Sequence, residues 1–147
     1  MPVHRPATIR LRTSLFEDAV AIVEAEFGSD LALDDIAHRV ASSRRQLQRA
    51  YAEIGRTTFR EHLTGVRMDR AAEMLSNGHP LTVREVAQRV GYRQPAQFAK
   101  AFRRHLGVAP SAYRARPNGA DPGGRTPGRL TPFAVGARRV ASIERLI

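Results

Sequence analysis

A chain of 147 residues has room for one domain with a core of its own and falls short of two domains of ordinary size. Its 24 Lys and Arg against 14 Asp and Glu give a formal net charge of +10, and every base except Lys100 is an arginine, a balance that suits a polyanionic partner. Cysteine is absent, which excludes disulfides, thiolate metal sites and cysteine nucleophiles and fits the cytoplasm, and no stretch approaches the roughly 18 apolar residues of a membrane helix.

In chain order, residues 1–13 read as a basic N-terminal arm. Ser14 is placed to cap a first helix whose apolar positions Leu15, Phe16, Ala19, Val20, Ile22, Val23 and Phe27 recur at helical spacing until Gly28. Asp34 and Asp35 favour the start of a short second helix with Ile36, Ala37 and Val40 inward. Ser42 or Ser43 caps a third helix over 44–54, with Leu47, Ala50 and Tyr51 inward and Arg45, Gln48 and Arg49 outward. Thr57 or Thr58 begins a longer helix to about residue 76, which Asn77 and Gly78 end.

After Pro80, Thr82 caps a fifth helix containing Val83, Val86, Ala87 and Val90, and Gly91 closes it. A sixth helix over about 94–106 buries Phe98, Ala101 and Phe102, with Pro95 in the first turn, where its missing N–H does no harm. Gly107 ends it, and Pro110 starts a short seventh helix through Tyr113. From residue 116 onward Pro, Gly, Arg and Thr dominate, so 116–147 reads as a disordered tail, with a weak amphipathic pattern over 137–147. The expected fold is all-α with about seven helices.

Two of these segments are copies. Ile36-Ala37-His38-Arg39-Val40 answers Val86-Ala87-Gln88-Arg89-Val90 at an offset of 50, while Leu47, Ala50 and Tyr51 answer Phe98, Ala101 and Phe102 at an offset of 51. The extra residue falls between the two helices of the unit, where a turn absorbs it without disturbing a buried face. The pattern is a duplicated helix-turn-helix: a first unit over about 33–55, a linker helix over about 58–76 and a second unit over about 82–106, all within one domain spanning 14–115.

The charge follows the same division. Residues 14–37 hold seven acids (Glu17, Asp18, Glu24, Glu26, Asp30, Asp34, Asp35) and no base, so that segment is expected to face away from a polyanion. Residues 38–60 carry six arginines against Glu53 alone, and 84–116 carry eight bases against Glu85 alone. Local clusters of this kind suit phosphate neutralisation, because each contact releases condensed counterions.

A recognition helix needs apolar residues toward its partner helix and long polar donors toward the major groove. Arginine presents paired donors that match guanine, and glutamine pairs with adenine, so Arg45, Gln48, Arg49, Gln97 and Lys100 are suited to base edges and Ala96 to a thymine methyl. Lysine is a point charge rather than a fork, so base discrimination at Lys100 is expected to be weaker. Ser43, Arg44, Arg56, Arg93, Gln94, Arg103 and Arg104 are the candidates for phosphate contact. Arg44, Arg56, Arg60, Arg70 and Arg84 suit solvent or salt bridges as well as they suit phosphate, and Arg67, among apolar neighbours on the linker helix, reads as structural. A linker of about 19 residues spans about 28 Å at roughly 1.5 Å per residue, near the roughly 34 Å between successive major grooves on one face of DNA.

These residues resemble the AraC/XylS transcription regulators over residues 15–114. The most specific stretch is Val86-Ala87 through Val90-Gly91-Tyr92, followed by Phe98, Phe102-Arg103-Arg104, Gly107, Pro110-Ser111 and Tyr113-Arg114. The first unit matches through Ile36-Ala37, Ser43, Leu47, Arg49, Tyr51, Gly55 and Phe59, then Arg67, Ala71 and Leu75. Departures fall at Gln94 and Pro95, where the family has a small polar residue opening the sixth helix, and at His62, which replaces an aromatic. The resemblance implies that the third and sixth helices read DNA. Base contacts would come from Arg45, Gln48 and Arg49 in the third, and from Ala96, Gln97 and Lys100 in the sixth. With so little chain before the first helix, it also implies the stand-alone kind of regulator: a monomer without a sensor domain, acting as an activator that also contacts RNA polymerase.

An enzyme is the first rival class. The five histidines (His4, His38, His62, His79, His105) lack metal-ligand spacing, and no phosphate-binding glycine loop or nucleophilic serine context is present, so no catalysis, cofactor or metal is expected. The second is a helical protein-interaction module or antagonist that keeps the fold without specific DNA binding, which Gln94 and Pro95 favour.

Overall fold

The computed structural model describes residues 6–76 and 80–115. These residues form α1 (Pro6–Glu26), α2 (Leu33–Arg39), α3 (Arg44–Ala50), a π-helical turn (Tyr51–Gly55), α4 (Phe59–Ser76), α5 (Val83–Arg89), α6 (Pro95–Leu106) and α7 (Pro110–Arg114), with no strand among the described residues. The expected tail over 116–147 and the Asn77 and Gly78 stop lie outside the described residues.

Helix α1 begins at Pro6 and not at Ser14, so most of the expected arm over 1–13 is helical. Proline is preorganised for a first helical turn. Apolar periodicity does not mark this part because α1 buries nothing before Leu15, while Ile9 and Leu11 stand exposed. The Arg12 guanidinium pairs with Glu53 on the π-helical turn.

The chain divides into two compact units. In the first, formed by residues 6–26 and 31–62, α1 packs on α2, α3 and the π-helical turn. Leu15, Phe16, Ala19, Val20 and Val23 of α1 are buried with Ile36, Ala37, Leu47, Ala50 and Tyr51. The Phe16 and Tyr51 rings meet edge to face at 5.2 Å, a geometry worth about 0.5–1.5 kcal/mol beyond area burial. Gly55 lies so close to Phe16 that a β-carbon there would stand 2.5 Å from the ring. Glu26 closes α1 onto α2 by accepting from both terminal nitrogens of Arg39, at 2.9 and 2.6 Å, and this pairing holds its carboxyl below the usual range.

The core of the second unit, formed by 27–30, 63–76 and 80–115, joins Met68, Ala71, Ala72 and Leu75 of α4 to Val86, Ala87 and Val90 and to Phe98 and Phe102 of α6. An aromatic chain runs through it, Tyr92 to Phe98 at 5.7 Å, Phe98 to Phe102 at 5.7 Å and Phe102 to Tyr113 at 5.5 Å. Arg67 of α4 is half-buried and structural. Its Nε donates to the Phe27 carbonyl and its Nη2 to the Ser29 carbonyl, both at 2.8 Å, and its guanidinium lies 5.7 Å from the Tyr92 ring centre.

Helix starts follow the capping chemistry. Of the two serines before α3 it is Ser43 whose hydroxyl accepts from the Gln46 N–H, at 3.2 Å. Of the two threonines before α4 it is Thr58 that accepts from the Glu61 N–H, at 3.2 Å. Thr82 and Glu85 complete a reciprocal capping box on α5, at 3.1 and 2.9 Å.

Candidate nucleic-acid interface

The turns that carry α3 and α6 are the same turn at the level of backbone bonds. In the first unit the Ser42 N–H donates to the Ala37 carbonyl at 2.8 Å and the Ala41 N–H to His38 at 3.1 Å. In the second, Tyr92 donates to Ala87 at 2.9 Å and Gly91 to Gln88 at 3.1 Å. Val40 and Val90 share φ of −93°, and the next residue in each is left-handed, Ala41 at φ 54° and Gly91 at φ 94°. This is a helix C-terminus of the Schellman kind. The offset of 50 therefore holds through residue 42, and the extra residue is Arg93, since Ser43 and Gln94 are the cap residues of α3 and α6.

On α3, Leu47 and Ala50 are buried while Arg45, Gln48 and Arg49 are exposed. On α6, Phe98 and Phe102 are buried while Ala96, Gln97, Lys100, Arg103 and Arg104 are exposed. Each helix thus turns its polar face to solvent, as residues three and four apart must when one stripe is sunk in the core. Among the described residues none of Arg45, Arg49, Arg93, Lys100, Arg103 and Arg104 makes an ion pair.

The phosphate candidates differ in their surroundings. Ser43 accepts the cap bond of α3 at its hydroxyl oxygen, a bond that does not use the O–H as donor. Arg44 is held by Asp34 at 3.2 Å, so the acidic segment does not keep wholly clear of α3 as its charge suggests. Arg56 is exposed and left-handed, at φ 51°, where it closes the π-helical turn. Arg93 is the inserted turn residue. Gln94 stands at the cap position of α6 without a side-chain cap bond, so the family's small polar residue is missing there in chemistry as well as in name.

His62 is fully buried with its Nδ1 2.8 Å from the Tyr51 hydroxyl, which explains how a polar ring replaces an aromatic in this core. Burial lowers its pKa to about 4 and pushes the Tyr51 phenol up. Gln46, not among the residues expected from the sequence to contact DNA, is exposed on the first turn of α3 and accepts a hydrogen bond from Ser42. Its signal was present in the offset of 51, which lays Gln46 on Gln97.

Residues 36–116 match the helix-turn-helix domain family. Over 93 residues the chain is 31% identical to the msm operon regulatory protein of Streptococcus mutans, covering 63% of this chain and 33% of that one. Over 110 residues it is 28% identical to the HTH-type transcriptional activator AarP of Providencia stuartii, covering 75% and 81%. Of solved structures, the C-terminal domain of the response regulator AraT from Geobacillus stearothermophilus superposes with a TM-score of 0.65 at 32% identity, covering 73% of this chain and 91% of that one. The DNA-binding domain of AdpA, solved in complex with a target DNA, follows at 0.64 and 30%, covering 68% and 89%. The chain spans about a third of the length of most of the curated relatives it matches.

What these define is a duplicated helix-turn-helix protein of the DNA-binding class. The chain belongs to the AraC-type helix-turn-helix family, whose members regulate transcription.

Proposed function

We propose that this chain reads a specific DNA sequence and activates transcription, with α3 and α6 entering successive major grooves of one duplex. The observation that carries the reading is the pair of exposed, polar helix faces, Arg45, Gln48 and Arg49 on one and Ala96, Gln97 and Lys100 on the other, each set on the same backbone turn. Arg45 and Arg49 match guanine O6 and N7, Gln48 and Gln97 match adenine N6 and N7, and Ala96 meets a thymine methyl. Ser43, Arg56, Arg93, Gln94, Arg103 and Arg104 supply phosphate contacts that fix the register, and Arg44 joins them in competition with Asp34.

The protein acts in the cytoplasm as a monomer, by binding rather than catalysis, and contacts RNA polymerase to activate. The name of AarP as an activator supports that direction of control.

Selection of bound duplexes from a random pool, followed by a salt titration on the winner, tests this. Two half-elements about one helical turn apart and a steep loss of affinity with salt are the expected result. A pool with no enriched sequence would overturn it and favour a protein-interaction module, the reading for which the uncapped Gln94 speaks.

A further inference from the structure

The repeat gives a direct comparison of what the two candidate recognition helices share. At an offset of 51, Arg45 falls on Ala96, Gln48 on Ala99 and Arg49 on Lys100. Of the three candidate readers on α3, only Arg49 keeps its chemistry in α6. Gln46, by contrast, falls on Gln97, so the element common to both helices is an amide followed three residues later by a cation, Gln46 with Arg49 and Gln97 with Lys100. Residues three apart share a helix face, and all four of these are exposed.

A structural role for Gln46 would be the reciprocal half of a capping box, its side chain reaching back to the Ser43 N–H. Thr82 and Glu85 make that box on α5, whereas on α3 only the Ser43 half is present. The Gln46 carboxamide is engaged elsewhere. Its Oε1 accepts from the Ser42 hydroxyl at 2.9 Å, which engages one end of the amide and leaves the Nε2 end directed away from that bond. The second unit has no equivalent hydroxyl aid, because Tyr92 stands at the place of Ser42 and packs on Phe98.

We infer that Gln46 is a further specificity-determining residue of α3, its carboxamide presented to a base edge, and that Ser42 is the positioning residue that holds one end of that amide. An amide tethered at one end keeps a single place on the helix face and leaves its other end for the base. The inference rests on the DNA-reading proposal above.

The test repeats the duplex selection with the full chain, its Gln46→Met variant and its Ser42→Ala variant. Methionine keeps the length and neutrality of glutamine and removes the donor, and helical circular dichroism checks that each variant is folded. The expected result is an unchanged motif at every position but one. There Gln46→Met flattens the preference and weakens binding to the wild-type winner roughly 5- to 100-fold. Ser42→Ala should flatten the same base pair in part. Equal weakening on every duplex would make Gln46 a phosphate contact and overturn the inference, as would an unchanged motif and affinity. An unchanged Gln46→Met motif beside a well-defined wild-type motif sinks this inference alone; a wild type that enriches nothing sinks the DNA-reading proposal and this inference with it.

Discussion

A β-carbon on Gly91 would stand 2.9 Å from the Arg67 guanidinium carbon, and Arg67 has little room to yield because the Phe27 and Ser29 carbonyls hold it at 2.8 Å each. The turn that carries α6 is therefore closed by a residue without a side chain for two reasons, its φ of 94° and this contact.

The two reasons separate in a pair of variants. Gly107 has a similar φ of 85° but nothing within 4 Å of a β-carbon. Gly107→Ala is expected to cost about 1–2 kcal/mol, the left-handed penalty alone. Gly91→Ala should cost about 1–3 kcal/mol more from overpacking. Urea unfolding of the two variants beside the wild type measures the difference, and equal losses would mean that Arg67 moves aside at no cost.

Acid should weaken the first unit through His62. Burial lowers its pKa to about 4, below the ordinary 6.5, so the unfolded chain binds a proton that the folded one refuses. Stability from this group is full above pH 6.5 and is lost as pH falls toward 4. Between pH 7 and pH 5 the loss is about 2 kcal/mol at 1.36 kcal/mol per unit. His62→Phe, which has no proton to gain, should remove that part of the pH dependence; identical pH profiles for the two proteins would show that His62 does not set it.

What the sequence disclosed and what it withheld follow from where side chains are buried. Ile36, Leu47, Val86 and Phe98 lie fully buried where periodicity puts them, because a core face leaves an apolar stripe in the chain. The first two turns of α1 leave no such stripe, and its start at Pro6 went unread. Backbone events without a side-chain signature were also invisible: the π-helical turn from Tyr51, and the left-handed Ala41 and Arg56, where glycine or asparagine is the usual marker. Gln46 was legible only by applying the repeat residue by residue to the solvent face as well as to the core.

The pairing of Arg44 with Asp34 at 3.2 Å predicts that Asp34 tempers affinity without selecting sequence. Both side chains are more than half exposed, so the pair itself is worth only about 0–1 kcal/mol to folding. Asp34→Asn should release Arg44 to phosphate, raise affinity for all duplexes together and steepen the salt dependence by up to about one unit of slope. A gain confined to one sequence would show that Arg44 reads a base instead.

Arg49 is the residue on which sequence reading and exposed geometry agree most fully, and a conservative variant separates its charge from its shape. Arg49→Ala should lose about 1–3 kcal/mol on the selected duplex and relax preference at one base pair. Arg49→Lys keeps the cation but not the planar fork, so it should retain binding to unrelated duplexes while losing most of that preference. The reverse exchange, Lys100→Arg, supplies a fork on α6 and should sharpen preference at the matching place in the second half-element. Competition binding against duplexes changed one base pair at a time measures all three. If Arg49→Lys keeps the full preference, the planar fork is not what reads that base pair, and if Arg49→Ala weakens every duplex equally the contact is to phosphate and the reading of α3 moves to Arg45 and Gln48.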